Sequence, residues 1–347
     1  MHFTKSWRRF TKVALVGLLT FGALSTTTAA ASKKTVTDMA GTKVTMPSKI
    51  TRVADMWHAN NQVVLLLGGQ KKLVATTPVI QKLAWYAQVY PGFKKETAPL
   101  AGKDIQTEEL LKAKPQVALT SDATQAKTLR DAGVPTANVM FQNFAGLKKS
   151  VKITAKILGG DAPSIAKTYT KELNGNISYV EKKVKNDKNK PAILHIGNVS
   201  DLTNVDGRNT IIDEWMKAAG AKNALTAKGN QITVTAEQIT KSNPDMIIIG
   251  GTTSKKALAT LKKDSRFKNL KAVKAGKVYG NPTGTFAWDR YSTEAALQVL
   301  WVAKLAHPNQ FKSLNMVKKT QTFYNKYYNY DLTKTEAKQI LAGENPA

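Results

Sequence analysis

The chain has 347 residues, of which 52 are Lys or Arg and 24 are Asp or Glu, for a formal net charge of +28 at pH 7. It contains no cysteine, which excludes disulfides, thiolate catalysis, thiolate metal sites and a lipid-modified cysteine. The hydrophobic content of 42% is adequate for two domains that are stabilised by apolar burial alone.

Residues 1–31 have the layout of a secretory signal peptide. Basic residues precede an apolar run over Val13–Leu24, and the segment ends in the small residues Ala29-Ala30-Ala31. Such a run is too short to cross about 30 Å of hydrocarbon, so cleavage before Ser32 is favoured over an uncleaved anchor. We therefore expect an exported protein, in the periplasm or at the cell surface, that is soluble after cleavage and is not a lipoprotein.

The lysines are scattered along the chain in pairs, such as Lys71-Lys72 and Lys182-Lys183, rather than gathered into one basic arm. A solvated basic surface of this kind favours contact with an anionic cell-wall polymer. Because an exported protein rarely meets nucleic acid, we expect no nucleic-acid partner.

Residues 48–160, which follow an N-terminal segment at 32–47, alternate apolar runs with helical segments. The first run, Arg52–Met56, leads into a loop that holds Trp57 and His58. Later runs have the apolar character of strands that are buried on both faces. This part of the chain is predicted to be an N-terminal α/β lobe.

Residues 190–347 repeat the same order. The apolar run Ala192–Ile196 is followed by a predicted loop over Asn198–Asn209 and a helical segment Thr210–Ala219. Strands that alternate with helices indicate parallel sheets covered on both faces. We predict an α/β fold with two Rossmann-like lobes, the second of which carries a helical C-terminus.

One block of sequence occurs in both lobes without a gap. Thr107–Asp122 and Thr235–Gly251 each hold a short helix with an early acid, a proline and a buried-type strand. When Pro115 is aligned with Pro244, the two blocks are offset by 129 residues. The same offset aligns Glu108 with Glu237, Leu110 with Ile239, and Lys112 with Lys241. The block indicates that the lobes are internal repeats.

Residues 161–189, between the lobes, are predicted to form a single long α-helix. Apolar residues recur at steps of three and four: Ile165, Tyr169, Leu173, Ile177, Val180 and Val184. Asp161 is a candidate N-cap, and Pro163 is tolerated in a first turn. Gly175 costs roughly 1 kcal/mol relative to Ala and could let the helix bend.

Signals for catalysis are weak. The sequence has no nucleophile elbow, phosphate-binding loop or dinucleotide-binding fingerprint. His58, His195 and His307 are far apart, and the apolar surroundings of His195 are more typical of a satisfied core residue than of a ligand. No local pattern brings together the donors of a metal site. We expect no enzymatic activity, no cofactor and no metal site.

Aromatic and polar residues follow several predicted strands, which is where open parallel sheets bind ligands. The predicted ligand-binding set is Trp57, His58, Trp85, Tyr86, Trp288, Arg290 and Tyr291. The alternative for Trp85 and Trp288 is packing beneath their own loops. Arg290 is expected either to pair with an anionic group of the ligand or to bridge to Asp289.

Four stretches carry a family resemblance: KITRVADMWHANNQVVLLLGGQKKLVATT, DIQTEELLKAKPQVALTSD, VTAEQITKSNPDMIIIGG and LKAVKAGKVYGNPTGTFAWDRYSTEAALQVLWVAKLAHP. In their order and spacing the chain resembles the class III periplasmic-type binding proteins of ABC importers, the iron-siderophore and vitamin B12 group. The resemblance implies two lobes joined by one rigid helix, a ligand in the shallow cleft between them, and little hinge closure. It also implies that Glu108 and Glu237 dock arginines of the permease; the alternative is that both acids only stabilise helix N-termini.

The resemblance predicts capture of an iron-chelate complex of the siderophore type and its delivery to an ABC importer permease with its ATPase. Cobalamin, haem and a molybdate-type oxyanion are alternative ligands, and a basic wall-bound adhesin is an alternative function. Relatives in single-membrane organisms are usually lipoproteins, so a chain without cysteine is expected either in a periplasm or held at a wall by its charge. We expect a monomer.

Overall fold

A computed structural model describes residues 1–2 and 32–347, so the predicted signal peptide lies outside the described residues apart from its first two positions. The strands β1 (Lys33–Thr37) and β2 (Lys43–Pro47) form an antiparallel hairpin. Its Lys34 side chain donates a hydrogen bond to the carbonyl oxygen of Ile157 at 2.8 Å, which attaches the hairpin to the first lobe. No helix within the described residues is both long and apolar enough to cross a bilayer.

The first lobe is built on a four-stranded parallel sheet. Its strands are β3 (Val53–Asp55), β4 (Leu73–Ala75), β7 (Val117–Thr120) and β8 (Thr136–Asn138), and a separate hairpin holds β5 (Leu100–Ala101) and β6 (Asp104–Ile105). The helices are α1 (His58–Leu66), α2 (Ala84–Val89), α3 (Thr107–Lys112), α4 (Ala123–Asp131) and α5 (Phe144–Leu158). The sheet order is β4-β3-β7-β8. Every residue of β3 and β7 is buried, as expected for a sheet covered on both faces.

The predicted helix between the lobes is present as α6 (Ala162–Val184), with Pro163 in its first turn. It ends earlier than expected because the chain turns at Asp187, whose backbone N–H bonds to the carbonyl oxygen of Val184 at 2.9 Å. The helix continues unbroken through Gly175, where an added Cβ would meet nothing within 4 Å. Gly175 therefore occupies an open surface position and produces no break.

The apolar face of α6 packs against helices of both lobes. Tyr169, Leu173 and Val180 are fully buried, and the other three predicted positions are half-buried. The hydroxyl of Tyr169 donates to the carbonyl oxygen of Thr293 at 2.8 Å. These contacts join the linker to the second lobe over much of its length.

The second lobe has a mixed sheet. Its strands are β9 (Ala192–Asn198), β10 (Asp201–Val205), β11 (Lys222–Asn223), β12 (Ile232–Thr233), β13 (Met246–Ile249) and β14 (Val278–Gly280). The helices are α7 (Ile211–Ala218), α8 (Ala236–Ser242), α9 (Ser254–Lys263) and α10 (Lys271–Lys274). β9, β13 and β14 are parallel neighbours, and β11 also pairs with β9 in parallel.

The prediction of a loop over residues 198–209 was wrong, because this segment contains β10. The side-chain oxygen of Asn198 accepts hydrogen bonds from the backbone N–H groups of Ser200 at 2.9 Å and Asp201 at 3.1 Å. The resulting tight turn sends β10 back along β9 as an antiparallel edge, on which β12 then pairs. The α/β class with parallel sheet cores is confirmed, with this antiparallel addition.

The 129-residue repeat is also present in the structure. β7 and β13 correspond residue for residue at this offset, and α3 and α8 begin at corresponding positions. Lys114 and Asn243, one residue before each proline, both have positive φ angles, 45° and 37°. Both residues end their helix in the left-handed region, so the chain enters the two strands in the same way.

Three C-terminal helices complete the fold: α11 (Ala295–Ala306), α12 (Met316–Tyr328) and α13 (Lys334–Ala342). α12 packs against α11 and also against α1 of the first lobe. The helical C-terminus therefore contacts both lobes, whereas the sequence pattern indicated packing on the second lobe only. The largest apolar core runs continuously from the first lobe through α6 to these helices.

A buried polar network joins α1 to the second lobe at this contact. The side-chain amide of Gln62 donates to Glu294 at 2.6 Å, to Thr285 at 2.9 Å and to Tyr328 at 3.2 Å. The second oxygen of Glu294 accepts the hydroxyl proton of Tyr324. All five side chains are buried, so this network resists separation of the lobes.

Candidate functional site

The carboxyl ends of three first-lobe strands meet around a cavity of about 500 Å³, which we call the cleft cavity. Its lining is Met56, Trp57, His58, Thr77, Pro78, Val79, Leu100, Gly102, Lys103, Ser121, Asp122 and Gln125. These residues follow β3, β4 and β7 or belong to the β5–β6 hairpin and α4. The position matches the expected ligand site of an open parallel sheet. A groove of about 570 Å³ along α6 and α12 contains no residue from a strand end.

Buried polar contacts hold the turn from β3 into α1. The carboxylate of Asp55 accepts the backbone N–H of Trp57 at 3.3 Å and the side-chain amide of Asn60 at 2.8 Å. The amide of Asn61 donates to the carbonyl oxygens of Asp55 at 2.9 Å and Trp57 at 3.0 Å. These contacts place Trp57 and His58 at the wall of the cavity.

An aromatic cluster of three rings spans the two lobes beside the cavity. Trp57 lies 5.5 Å from Phe141 and 5.6 Å from Tyr291, and Phe141 lies 5.5 Å from Tyr291, measured between ring centroids. The hydroxyl of Tyr291 donates to the side chain of Gln142 at 3.2 Å. Phe141 and Gln142 were not predicted, although they follow β8 as Trp57 follows β3.

His58 also lies at the boundary between the lobes. It is half-buried, and its ring stacks at a tilt on Phe286 of the second lobe at a centroid distance of 5.5 Å. Burial lowers the pKa of His58, so the imidazole is neutral at physiological pH. Its ring then offers one hydrogen-bond donor and one acceptor to a ligand.

Three predicted ligand residues lie in the core instead of on the cleft surface: Trp85, Tyr86 and Trp288 are at most 1% exposed. The indole N–H of Trp85 donates to the carbonyl oxygen of Glu344 at 2.8 Å. The ring of Tyr86 packs edge-to-face on Tyr90 and Phe93. These placements correspond to the packing alternative for the two tryptophans.

Arg290 pairs with Asp206 rather than with its neighbour Asp289. Its Nη1 lies 2.9 Å from Asp206 Oδ1 and 3.0 Å from the side-chain oxygen of Asn230. Burial disfavours the charged guanidinium, but Asp289 and Asp206 raise the pKa of Arg290 above its ordinary value. Asp206 lies in the segment predicted to be a loop, and no local sequence signal connected it with Arg290.

His195 is buried in the core beneath this pair, as the sequence pattern favoured. Its Nδ1 lies 2.7 Å from Asp206 and its Nε2 lies 2.9 Å from Asp289. Burial alone would raise the pKa of Asp206, but His195 and Arg290 hold it well below its usual range. The same two carboxylates raise the pKa of His195 against the effect of burial. His195, Asp206, Asp289 and Arg290 form one charge cluster.

Glu96 lies in the first lobe and is only 5% exposed. Neither of its carboxylate oxygens accepts a hydrogen bond from any described residue. Burial raises its pKa to about 8, so the group holds its proton at neutral pH. Its neutral form avoids the cost of a buried unpaired charge.

Glu108 and Glu237 occupy equivalent positions in the first turns of α3 and α8. Both side chains are exposed, and neither makes an ion pair or hydrogen bond within residues 32–347. The neighbouring Glu109 differs, because it pairs with Lys112 at 3.0 Å. Each lobe therefore presents one unengaged carboxylate at the start of a repeated helix.

Comparison with known proteins identifies relatives that cover most of the chain. The curated relative YvrC of Bacillus subtilis (strain 168), named an uncharacterized ABC transporter substrate-binding lipoprotein, is 24% identical over 255 residues, which cover 71% of this chain and 77% of YvrC. The molybdate-binding protein MolA of Haemophilus influenzae is 24% identical over 345 residues, which cover 90% of this chain and 94% of MolA.

Solved structures of similar proteins share the fold. A periplasmic solute binding protein from Veillonella parvula is 26% identical and aligns with a TM-score of 0.78, covering 89% of this chain and 97% of that protein. The sequence model described as periplasmic binding protein matches residues 56–283, which include the linker α6 and parts of both lobes. The chain therefore belongs to the periplasmic binding protein family.

Proposed function

We propose that this protein captures an anionic iron-chelate complex in the cleft cavity and delivers it to the permease of an ABC importer. The family is one of binding proteins, and YvrC is named a substrate-binding protein of an ABC transporter. The observation that carries the proposal is the cleft cavity itself, whose lining combines a lysine, a histidine, hydroxyl groups and aromatic surface. The role is binding and transfer, for which no reaction is required.

The lining of the cleft cavity offers several groups that can bind a negatively charged ligand. Lys103 contributes an ammonium group, and the helices α1 and α4 begin at His58 and next to Asp122, so the positive ends of both helix dipoles lie at the cavity wall. The hydroxyl of Thr77 is buried and has no partner within the described residues, which leaves it for a ligand. The carboxylate of Asp122 already accepts the backbone N–H of Gln125 at 2.9 Å.

The size of the cavity supports a chelate over a bare inorganic ion. A volume of about 500 Å³ lies within the range of roughly 300–1,000 Å³ that is usual for sites of drug-sized ligands. The ring of Trp57 in its lining supplies apolar surface that suits an organic chelator, and Tyr291 packs on that ring. A small oxyanion would fill only a fraction of this space.

A molybdate-type oxyanion is the second candidate ligand. It is favoured by the relation to MolA, whose structure bound to molybdate aligns with this chain at a TM-score of 0.76 and 20% identity. Helix N-termini and a lysine would serve such an ion equally well.

Tryptophan fluorescence is the direct test of this function. We expect a ferric tris-catecholate chelate to quench the emission of the wild type in a saturable titration, because Trp57 lines the cavity. The variant W57F should lose most of the signal, whereas W301F should keep it, because Trp301 lies on α11. K103Q should weaken the affinity roughly five- to tenfold through loss of one charge-assisted contact, and K274Q, at an exposed lysine of α10, should not.

Parallel titrations with molybdate, haem and cobalamin separate the alternatives. A response to molybdate alone would identify a molybdate-type oxyanion, rather than an iron chelate, as the ligand. A response to haem or cobalamin alone would overturn the anionic chelate, and silence with all four probes would favour the adhesin.

We further propose that the exported protein is held at an anionic wall by its charge. YvrC is named a lipoprotein, whereas this sequence has no cysteine that could carry a lipid, and its basic residues outnumber its acidic residues by 52 to 24. Ionic contacts of exposed charges are screened within about 10 Å at 0.1 M salt. Washing cells with 1 M NaCl should therefore release most of the protein; retention through that wash would contradict the proposal.

A further inference from the structure

The charge cluster of the second lobe contains a histidine with an unusual pair of partners. His195 lies in β9 and places its two ring nitrogens 2.7 Å from Asp206 Oδ2 and 2.9 Å from Asp289 Oδ2. All three side chains are at most 1% exposed. The imidazole also packs edge-to-face on the indole of Trp215 on α7, at a centroid distance of 5.9 Å, and lies opposite Ile248 of the neighbouring strand β13; neither side chain carries a titratable group.

The geometry determines the charge of His195. A carboxylate oxygen only accepts hydrogen bonds, so when Asp206 and Asp289 are both ionised both ring nitrogens donate, and only the imidazolium carries a proton on each. The raised pKa of His195 agrees with this state. With the imidazolium and the guanidinium of Arg290 opposite two carboxylates, the cluster is electrically balanced.

Arg290 is only partly engaged by this cluster. Its Nη1 makes both of the hydrogen bonds that the side chain forms, to Asp206 and to Asn230, and its Nε and Nη2 groups bond to no described residue. The side chain keeps 14% exposure. The next residue, Tyr291, belongs to the aromatic cluster beside the cleft cavity. One edge of the guanidinium is therefore without a partner within the described residues, one position along the chain from that aromatic cluster.

We propose that His195 is a positioning residue that keeps Arg290 available to a carboxylate or other oxyanion group of the ligand. The imidazolium donates hydrogen bonds to Asp206 Oδ2 and to Asp289. Arg290 therefore remains bound to Asp206 through Nη1 only. Without that charge, the two carboxylates would draw the guanidinium inward and leave a net negative charge beside the cleft. This inference rests on the proposed capture of an anionic solute.

The first test is the pH dependence of binding by the wild type. The affinity for ferric tris-catecholate and for molybdate is measured by tryptophan fluorescence between pH 6.5 and 9.5. We expect the affinity for an anionic probe to fall roughly tenfold as His195 loses its proton, the effect of one charge at short range in a partly buried site. Ring nitrogen chemical shifts measured by NMR should show two protonated nitrogens on His195 at pH 6.5 and one at the alkaline end of the same transition.

Variants assign the effect to the cluster. H195Q should bind the anionic probe at pH 6.5 with the weak affinity of the wild type at high pH, and its affinity should fall with pH much less than that of the wild type. H307Q is the matched control, because His307 is also buried and lies 2.9 Å from a carboxylate, that of Asp187 beyond the end of α6. It should keep the wild-type profile, and R290Q should bind weakly at every pH.

The possible failures are distinguishable. Failure of the wild type to bind either probe would overturn the proposed function and this inference together. Binding that does not change with pH, or a neutral His195 in the NMR spectrum, would overturn the inference alone. The wild-type measurements decide the question even if H195Q does not fold.

Discussion

Replacing Glu108 and Glu237 together by Ala is expected to abolish import while ligand affinity stays unchanged. Both carboxylates are exposed and unengaged within the described residues, so they are free to meet cationic side chains of a permease. An exposed ion pair contributes only about 0–1 kcal/mol, so the two acids fix orientation rather than supply the affinity. Uptake of radiolabelled ferric chelate or molybdate, in cells that carry the cognate permease, measures the effect.

The matched control replaces Glu109 and Glu181 by Ala. It removes the same number of negative charges, one from α3 and one from the exposed surface of α6. Uptake should be retained in this variant. Normal uptake by the E108A/E237A protein, or an equal loss in the control, would show that both acids serve only their helix N-termini.

Replacing Glu294 by Ala is expected to destabilise the protein by roughly 3–5 kcal/mol, because it removes the acceptor at the centre of a buried network. Its carboxylate accepts from Gln62 at 2.6 Å, from Thr285 at 3.1 Å and from the backbone N–H of Phe286 at 3.3 Å, besides Tyr324. All of these donors would lose a partner inside the protein. The free energy of unfolding in urea measures the loss, and E181A should change it by less than about 0.5 kcal/mol.

The loss should depend on pH in a defined direction. Burial raises the pKa of Glu294 from 4.5 to about 7, so the folded protein binds this proton more tightly than the unfolded chain does. The associated stability is complete below pH 4.5 and is lost as the pH rises through about 7, a change of up to about 3 kcal/mol. The difference between wild type and E294A should therefore be larger at pH 5 than at pH 8. An equal difference at both pH values would contradict this assignment.

The network also favours little movement of the two lobes relative to each other. Opening the lobes would expose or separate Gln62 and Glu294, which lie in α1 and at the start of α11. It would also break the hydrogen bond between Tyr291 and Gln142 beside the cavity. Limited closure remains an expectation from the family resemblance, and these side chains, which no local motif identified, favour it.

Local patterns in the sequence were sufficient for the repeated unit and the linker. The acid, proline and apolar strand of each block determine where a helix ends and a buried strand begins, and the structure reproduces the offset of 129 residues in β7 and β13. Helical periodicity was likewise sufficient to predict α6, because the apolar pattern that indicates a helix lies within a few turns of one continuous segment. Glu108 and Glu237 could be paired because they belong to that repeated unit.

Which aromatic residues face the cleft depends on tertiary structure. Trp57 and Trp85 both follow first-lobe strands, but Trp85 is covered by the C-terminal tail, where Glu344 lies 259 residues away in sequence. Arg290 likewise pairs with Asp206, which is 84 residues away in sequence. Asp206 directly follows β10, in the segment that the sequence predicted to be a loop. The sequence by itself determined the two lobes, their connector and the docking candidates. Only the packed structure decided which side chains a ligand can reach, because burial and ion pairing are set by segments that are distant in sequence.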